Sequence, residues 1–374
     1  MRKRFLKLAN LLTGVLVASC VFAGAESIDY PYPIEIFEFT SQYQTLEMAY
    51  MDVPPARDEQ LTPADLEEPP EPVAPVEPTD PVESPEPVDQ VAPLAPPEIL
   101  EPAPDAPVAL LLHGKNFCAA YWQQTIEFLA DKGFRVIAPE QVGFCRSSLP
   151  ERYQFSFHQL ATNTAALLDE LEIETVTVIG HSMGGMLATR FALMYPERSD
   201  QLVMVNPIGL EDWLAEGVPY PTIDATFEAE RNRDLESIRA YQQSNYYDGD
   251  WNEEYDYWAR MLAATYEGPD GERVAWNHAL TADMVLTQPV LYEFGNLTVP
   301  TTLIIGLRDT TAIGQDRVEP GLAAWLGNYP RLARVTRERI PGADLISFDD
   351  IGHMPQFEAT DRYLDALEEV LHRH

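Results

Sequence analysis

The feature that most constrains the fold of this chain is a strand–turn–helix sequence built around Ser182. Residues 175–179 are a β-branched run typical of a buried strand, Gly-His-Ser-Met-Gly-Gly follows directly, and residues 186–194 have the composition of a helix. A serine in such a G-x-S-x-G turn has its hydroxyl exposed above a sheet. Side chains at Gly180 and Gly184 are expected to clash with the neighbouring strand and helix. Taken alone, the motif also fits a plain glycine-rich connection.

Two further residues supply the groups that a nucleophilic serine needs. A buried-strand pattern at residues 299–305 leads to Asp309. The last predicted strand, at residues 345–350, is followed by a loop that carries His353. An imidazole must take the serine proton, and a carboxylate must orient that imidazole. Singly, the aspartate also fits a surface turn and the histidine a plain loop, but the order Ser182, Asp309, His353 predicts a catalytic triad.

These motifs carry a resemblance to a known family. A short buried strand at residues 107–112 ends in the sequence HGKNF, and the later motif reads GHSMGGM. From His113 onward the chain resembles an α/β-hydrolase with a helical cap, in particular a group of exported bacterial serine hydrolases. The resemblance implies an α/β fold, with a mostly parallel eight-stranded sheet flanked by helices and a cap inserted after strand 6. It also implies the chain order nucleophile, acid, histidine.

The resemblance further assigns an oxyanion hole to main-chain donors. In this family one N–H comes from the loop after the third strand and the other from the residue after the nucleophile. Here these are the N–H groups of Lys115 and Met183, with Asn116 a near-equal candidate for the first.

The resemblance leaves the acid and the bond type open. Related hydrolases sometimes place the acid after the sixth strand, where this chain has Glu211 and Asp212, although Asp309 ranks first. Haloalkane dehalogenases and epoxide hydrolases of the same branch use an aspartate nucleophile. Ser182 therefore argues against both chemistries and leaves esters, lactones and thioesters.

One loop departs from the family pattern. Glu140 and Cys145 stand where the pattern has an aspartate and a second glycine, so we expect this loop to shape the pocket differently. Cys118 follows the HGKNF loop, and the third and fourth strands of the fold are neighbours. A Cys118–Cys145 disulfide that braces the oxyanion loop is one alternative in an oxidising compartment, and two free thiols are the other.

The N-terminal residues 1–25 have the composition of an export signal. Four basic residues precede an apolar stretch that is too short for a convincing membrane span. Lipidation at Cys20 would remove residues 1–19 and attach the protein to a membrane, whereas cleavage after Ala25 would release it into the periplasm or medium. Both outcomes place the protein outside a bacterial cytoplasm.

A proline- and acid-rich tract separates the first strands from the rest. Residues 52–107 hold 17 of the 32 prolines and 15 acidic residues against one basic residue. Such a segment cannot bury a core, so residues 54–106 are predicted to be disordered. The sheet needs two strands before the tract, which residues 26–53 provide, and the tract is then an insertion within the domain. The alternative is that residues 26–53 form a separate anchor. No protein partner of the tract is indicated.

The remaining chain divides into core and cap. Residues 107–206 and 298–374 are predicted to complete the hydrolase core. Residues 207–297 leave the strand rhythm for a mostly helical segment rich in aromatic residues, which we expect to cover Ser182 and exclude water. Most of these aromatic side chains are expected to pack the cap's own small core.

Composition and motifs exclude other classes. The formal net charge of −35 excludes nucleic-acid binding. No H-E-x-x-H or C-x-x-C pattern occurs, so neither a metal nor another cofactor is expected. The sequence predicts a serine hydrolase that cleaves a small or medium carboxylic ester through an acyl-enzyme. A lactonase or C–C bond hydrolase with the same triad is the alternative, and a binding or scaffold protein is the alternative of another class.

Overall fold

The computed structural model describes residues 28–56 and 106–373. The predicted export signal with Cys20 and nearly all of the proline-rich tract lie outside these ranges. Within them, no helix combines the length and apolar character needed to cross a bilayer.

The described chain folds around one eight-stranded sheet with the order β1-β2-β4-β3-β5-β6-β7-β8. Its strands are β1 Glu35–Ser41, β2 Gln44–Val53, β3 Val108–Leu112, β4 Arg135–Pro139, β5 Val176–His181, β6 Ser199–Val205, β7 Thr301–Gly306 and β8 Asp344–Phe348. The β1–β2 and β2–β4 pairs are antiparallel, and the other neighbours are parallel. The predicted fold class is confirmed.

Twelve helices accompany this sheet in the described residues. They are α1 Gln123–Asp131, α2 Phe157–Glu170, α3 Met183–Met194, α4 Trp213–Glu216, α5 Ile223–Arg231, α6 Leu235–Asn245, α7 Glu253–Glu267, α8 Gly271–Thr287, α9 Pro320–Ala323, α10 Tyr329–Arg339, α11 Pro355–Glu358 and α12 Thr360–Leu371. Helices α4 to α8 lie between β6 and β7 and form the cap.

Helices cover both faces of the sheet, so its central strands are buried on both sides. Successive residues of β3 point to opposite faces. Leu110 and Leu112 belong to the core that includes α2 and α3, whereas Ala109 and Leu111 belong to the core that includes α1 and α12. The β-branched and aliphatic runs in the sequence reflect this two-sided burial.

The two strands before the tract form one edge of the sheet. Val53 at the end of β2 pairs with Val136 of β4, and Val108 at the start of β3 pairs with Arg135 on the other side of β4. The described ends of the tract therefore lie on either side of β4, about 10 Å apart at the usual strand spacing. Both lie at the end of the sheet where the parallel strands begin, opposite the carboxyl ends of β3 and β5.

The expectation that the cap's aromatic residues mostly pack its own core is wrong. The cap's own cluster of fully buried side chains is small and contains Ile238, Ala259, Leu262 and Ala263. Tyr246, Tyr247, Tyr255 and Trp258 instead join the core of the hydrolase domain, and Trp258 stacks on Phe357 with ring centroids 5.2 Å apart. These large rings are therefore buried between the cap and the hydrolase domain.

Candidate active site

Ser182 occupies a strained turn between β5 and α3. Its backbone has φ 57° and ψ −121°, and α3 begins at once with Met183, earlier than the sequence composition indicated. A Cβ at Gly180 would lie 2.2 Å from the Gly184 carbonyl oxygen, and one at Gly184 would lie 2.0 Å from the Leu112 carbonyl oxygen. Side chains at both positions would therefore clash, as predicted. Because glycine has no side chain, the helix can start this close to the strand.

Asp309 and His353 form a buried pair. The Nδ1 atom of His353 lies 2.6 Å from Oδ2 of Asp309, and neither side chain is exposed to solvent. The carboxylate also accepts hydrogen bonds from the Asn206 side-chain amide at 2.9 Å and from the Thr311 N–H at 2.8 Å. An ionised carboxylate accepts only, so Nδ1 of His353 is the protonated nitrogen and Nε2 carries the lone pair.

The lone pair of His353 is available for proton transfer. Nε2 is buried and has no hydrogen-bond partner among the described residues, and no hydrogen bond joins it to the Ser182 hydroxyl. His181, the neighbour of the serine, contacts the histidine directly, with ring centroids 4.8 Å apart. Nucleophile and base often come into full contact only when substrate is bound.

A relay of neutral groups connects the loops around the serine. The Gly114 N–H donates to the Tyr121 hydroxyl at 3.2 Å, which lies 3.2 Å from Nδ1 of His181. Nε2 of His181 lies 2.9 Å from the His353 carbonyl oxygen, which can only accept. His181 therefore carries its proton on Nε2, and Tyr121 donates to Nδ1. Burial, and then the nearby His353, lower the pKa of His181 well below its usual value, so the relay stays uncharged.

The proposed oxyanion donors lie close to the nucleophile. A Cβ at Gly114 would lie 3.1 Å from Cβ of Ser182, so the loop after β3 touches the elbow. The N–H groups of Lys115, Asn116 and Met183 donate no hydrogen bond within the described residues. The N–H groups at the start of a helix lack partners in the helix itself, and the helix dipole there favours negative charge. The oxyanion assignment remains a prediction.

Glu211 and Asp212, the alternative candidates for the triad acid, form hydrogen bonds with other groups. Glu211 accepts hydrogen bonds from the Gly327 N–H and the Arg331 side chain. Asp212 caps α4 and accepts a hydrogen bond from the Tyr292 hydroxyl. Asp309 is thus the carboxylate that contacts His353.

The loop after β4, whose sequence departs from the family pattern, is joined to the loop after β3. Cys118 and Cys145 are joined by a disulfide. The buried Glu140 carboxylate accepts hydrogen bonds from the Ala119 N–H at 3.3 Å and from the Tyr30 hydroxyl. Burial raises the pKa of Glu140 to about 7. The two cysteines and Glu140 also form the one described group of three potential metal ligands, but its two sulfurs are bonded to each other.

Glu358 holds the loop that carries the base. Its two carboxylate oxygens accept hydrogen bonds from the N–H groups of Gly352 and Met354, both at 2.9 Å, on either side of His353. Burial raises the pKa of Glu358 to about 7. Sequence analysis missed Glu358 and Tyr121, which no motif marks, and did not use His181, which lies inside the G-x-S-x-G sequence.

The cap closes over this constellation. The Tyr246 ring stacks on the His353 imidazole with centroids 4.4 Å apart, and its hydroxyl accepts a hydrogen bond from the Asn116 side-chain amide at 2.7 Å. Only 5% of Ser182 is exposed. The nucleophile and the base are therefore shielded from solvent.

The fold and this site define an α/β-hydrolase. Residues 107–360 match the family model described as alpha/beta hydrolase fold, and the chain belongs to that family. Over 92% of this chain and 96% of the other, it is similar to the crystal structure of a probable hydrolytic enzyme from Pseudomonas aeruginosa PAO1, with 46% identity and a TM-score of 0.78.

Curated relatives match a shorter stretch. Epoxide hydrolase A of Mycobacterium tuberculosis is 35% identical over 96 residues, which are 25% of this chain and 30% of that protein. The 2-hydroxy-6-oxo-2,4-heptadienoate hydrolase of Pseudomonas putida is 31% identical over 111 residues, which are 29% of this chain and 40% of that protein. The chain thus matches about a third of the length of these relatives.

Proposed function

We propose that this hydrolase cleaves a small or medium carboxylic ester through an acyl-enzyme formed on Ser182. The observation that carries the proposal is the buried His353–Asp309 pair, in which Nε2 of the histidine has no hydrogen-bond partner within the described residues. The His353 ring contacts His181, the residue before Ser182. A carboxylate that fixes the tautomer of a histidine makes it a general base for a neighbouring hydroxyl.

The reaction follows from these positions. Ser182 attacks the ester carbonyl while Nε2 of His353 takes its proton, and Asp309 stabilises the imidazolium. The N–H groups of Met183 and of Lys115 or Asn116 hold the oxyanion. His353 then protonates the leaving alcohol, and it activates the water that releases the acid and regenerates the serine.

A lactonase or C–C bond hydrolase on the same triad is the second candidate. The similarity to the Pseudomonas putida hydrolase favours it, because the name of that relative gives a 2-hydroxy-6-oxo-dienoate as its substrate. A serine at the elbow argues against epoxide opening, for which the family uses an aspartate. Turnover of a lactone or diketone without turnover of simple esters would select the second candidate.

We also propose that the protein works outside the cytoplasm, either attached to a membrane through Cys20 or released after Ala25. The N-terminal composition and the Cys118–Cys145 disulfide support this location, because disulfides persist in oxidising compartments. Mass spectrometry of the mature N-terminus distinguishes a lipidated cysteine from cleavage after the alanine.

Labelling with a fluorophosphonate tests the proposed chemistry. The wild-type protein is compared with Ser182→Ala and with the matched control Ser244→Ala, which changes an exposed serine of α6. We expect one adduct, located at Ser182 by mass spectrometry, in the wild type and the control only. A folded wild-type protein that does not react would overturn the proposal and favour a binding or scaffold role.

A further inference from the structure

Three charged side chains meet where the cap reaches the loop after β3. Nζ of Lys115 lies 2.7 Å from Oε1 of Glu230, and Nη1 of Arg233 lies 3.4 Å from Oε2 of the same carboxylate. The side chains of Lys115, Glu230 and Arg233 are 14%, 9% and 22% exposed. We call these three residues the cationic cluster, because two cations share one carboxylate.

By formal charge, the two cations and one carboxylate of the cluster leave an excess of one positive charge. Burial alone would raise the pKa of Glu230, but Lys115 and Arg233 hold it well below its usual value, so the carboxylate is ionised. The guanidinium remains protonated in proteins. Burial lowers the pKa of the Lys115 ammonium, and the Glu230 carboxylate at 2.7 Å opposes that shift. Burial, and then Lys115, lower the pKa of the adjacent His278 well below its usual value. That histidine is neutral, and no other described carboxylate contacts the cluster.

Arg233 has donors that the protein does not use. Nη1 donates to the Asn116 side-chain oxygen at 3.2 Å and to the Tyr266 hydroxyl at 3.5 Å. Nε and Nη2 donate no hydrogen bond within the described part of the chain. A guanidinium presents five N–H donors in a planar fork that suits a carboxylate. Neither atom is among the fully buried polar atoms without a partner in the described residues, so both donors are accessible to water or to a bound anion.

The cluster borders the reacting groups. Arg233 binds the side chain of Asn116, Asn116 donates to the Tyr246 hydroxyl, and the Tyr246 ring lies on the His353 imidazole. Lys115 directly follows Gly114, whose backbone touches Ser182. The side chains of Asn116 and Tyr246 therefore link Arg233 to the His353 imidazole.

We infer that the cationic cluster is a subsite for a carboxylate of the substrate, so that the preferred ester carries a free carboxylate, as the half esters of dicarboxylic acids do. This inference rests on the proposed esterase function. The free donors of Arg233 bind the substrate carboxylate, and Glu230 holds Arg233 and Lys115 in place. A cluster that only fastens the cap to the core would show no preference for charged substrates.

The test compares two esters of similar size, p-nitrophenyl hemisuccinate and p-nitrophenyl pentanoate. We expect the wild type to prefer the hemisuccinate. Arg233→Gln should lose roughly 10- to 100-fold in kcat/KM for the hemisuccinate, mainly through KM, because one charge-assisted interaction is removed. The pentanoate should change by no more than about threefold. The matched control Arg231→Gln removes an exposed charge from α5, with a side chain that is 46% exposed, and should change neither ester.

Equal losses for both esters, or no loss for either, would overturn the carboxylate subsite. Calorimetric binding of monomethyl glutarate to Ser182→Ala provides a measurement that needs no turnover, and this binding should weaken in the Ser182→Ala/Arg233→Gln double variant. If Ser182 reacts with a fluorophosphonate but neither assay shows a preference for the anion, this inference fails and the esterase proposal stands. If Ser182 is unreactive but the anion still binds through Arg233, the proposed reaction fails and the anion site remains.

Discussion

The Tyr246 carbonyl oxygen accepts a hydrogen bond from the His353 N–H at 2.8 Å. The cap is therefore fastened to the loop that carries His353, in addition to stacking its Tyr246 ring on the imidazole. Any movement of the cap that admits substrate must either break this hydrogen bond or move the His353 loop together with the cap. Substrate entry and the position of the base are thus coupled through one residue.

Replacing the acid tests its assignment. Asp309→Asn keeps the shape of the side chain, but its amide NH2 can donate to Nδ1 of His353, which favours the tautomer with the proton on Nε2. We expect kcat to fall roughly 10³- to 10⁴-fold with the fold retained, as when the aspartate of a serine protease triad is replaced. The matched control Asp212→Asn changes the rival acid and preserves a capping side chain, so its kcat should equal that of the wild type. An unchanged kcat in Asp309→Asn would remove it from the triad.

We expect Glu358 to act as a positioning residue for His353. Glu358→Gln offers one oxygen to two N–H donors, so the loop around His353 loses a constraint. We expect kcat to fall roughly 10- to 100-fold with a smaller change in KM, because misplacing a catalytic group affects the chemical step most. Steady-state kinetics and thermal melting measure the two effects separately. A variant that melts earlier but keeps the wild-type kcat would show that Glu358 serves stability alone.

Gly184 tests the close approach of strand and helix. Gly184→Ala places a methyl group against the Leu112 carbonyl oxygen, and neither backbone segment can move away. We expect a loss of about 3 kcal/mol in the free energy of unfolding, measured by urea titration. Gly321→Ala is the control, because no atom lies within 4 Å of its added Cβ and it lies in the short helix α9. It should change stability by less than about 1 kcal/mol, in the stabilising direction.

The disulfide should stabilise the two loops beside the nucleophile. Cys118 and Cys145 are separated by 27 residues, and closing a loop of this length restricts the unfolded chain by about 3–4 kcal/mol. Reduction, or the double variant Cys118→Ala/Cys145→Ala, should lower the melting temperature accordingly. Thiol titration of the denatured protein without reductant supplies the control. Two free thiols at these positions in active protein would contradict the prediction.

Burial of Glu140 makes stability depend on pH. Its pKa is raised from 4.5 to about 7 in the folded protein, so the unfolded chain ionises first as the pH rises. The contribution of Glu140 to the free energy of unfolding is greatest below pH 4.5. It is lost as the pH approaches 7, by at most about 1.4 kcal/mol per pH unit. The stability difference between wild type and Glu140→Gln should therefore shrink from pH 4.5 to pH 7. The exposed Glu338→Gln is the control, and a difference that does not vary with pH would contradict the prediction.

The sequence predicted the parts of the site that local patterns encode. Ser182 follows a β-branched strand, and Asp309 and His353 each follow a buried strand, so the carboxyl edge of the sheet brings them together. The periodicity and the flanking glycines that mark these positions lie within a few residues of each one. The fold class follows from the same strands.

The remaining contacts depend on partners far apart in the chain. Lys115 and Glu230 are 115 positions apart, and no spacing rule relates a lysine of one loop to a glutamate of the cap. The packing of Trp258 on Phe357 likewise joins residues that are far apart in the chain. Single residues such as Glu358 act through main-chain N–H groups, which leave no trace in side-chain patterns.

The attachment of the proline-rich tract has an evolutionary consequence. Val53 and Val108 flank β4 at the end of the sheet opposite the carboxyl ends of the parallel strands. A connection of any length can therefore join them without reaching the end of the sheet where Ser182 lies. Length and composition there can drift independently of turnover, and another domain could be grafted into this position. The sheet thus separates the tract, which is free to diversify in sequence, from the site residues, whose identities the proposed reaction requires.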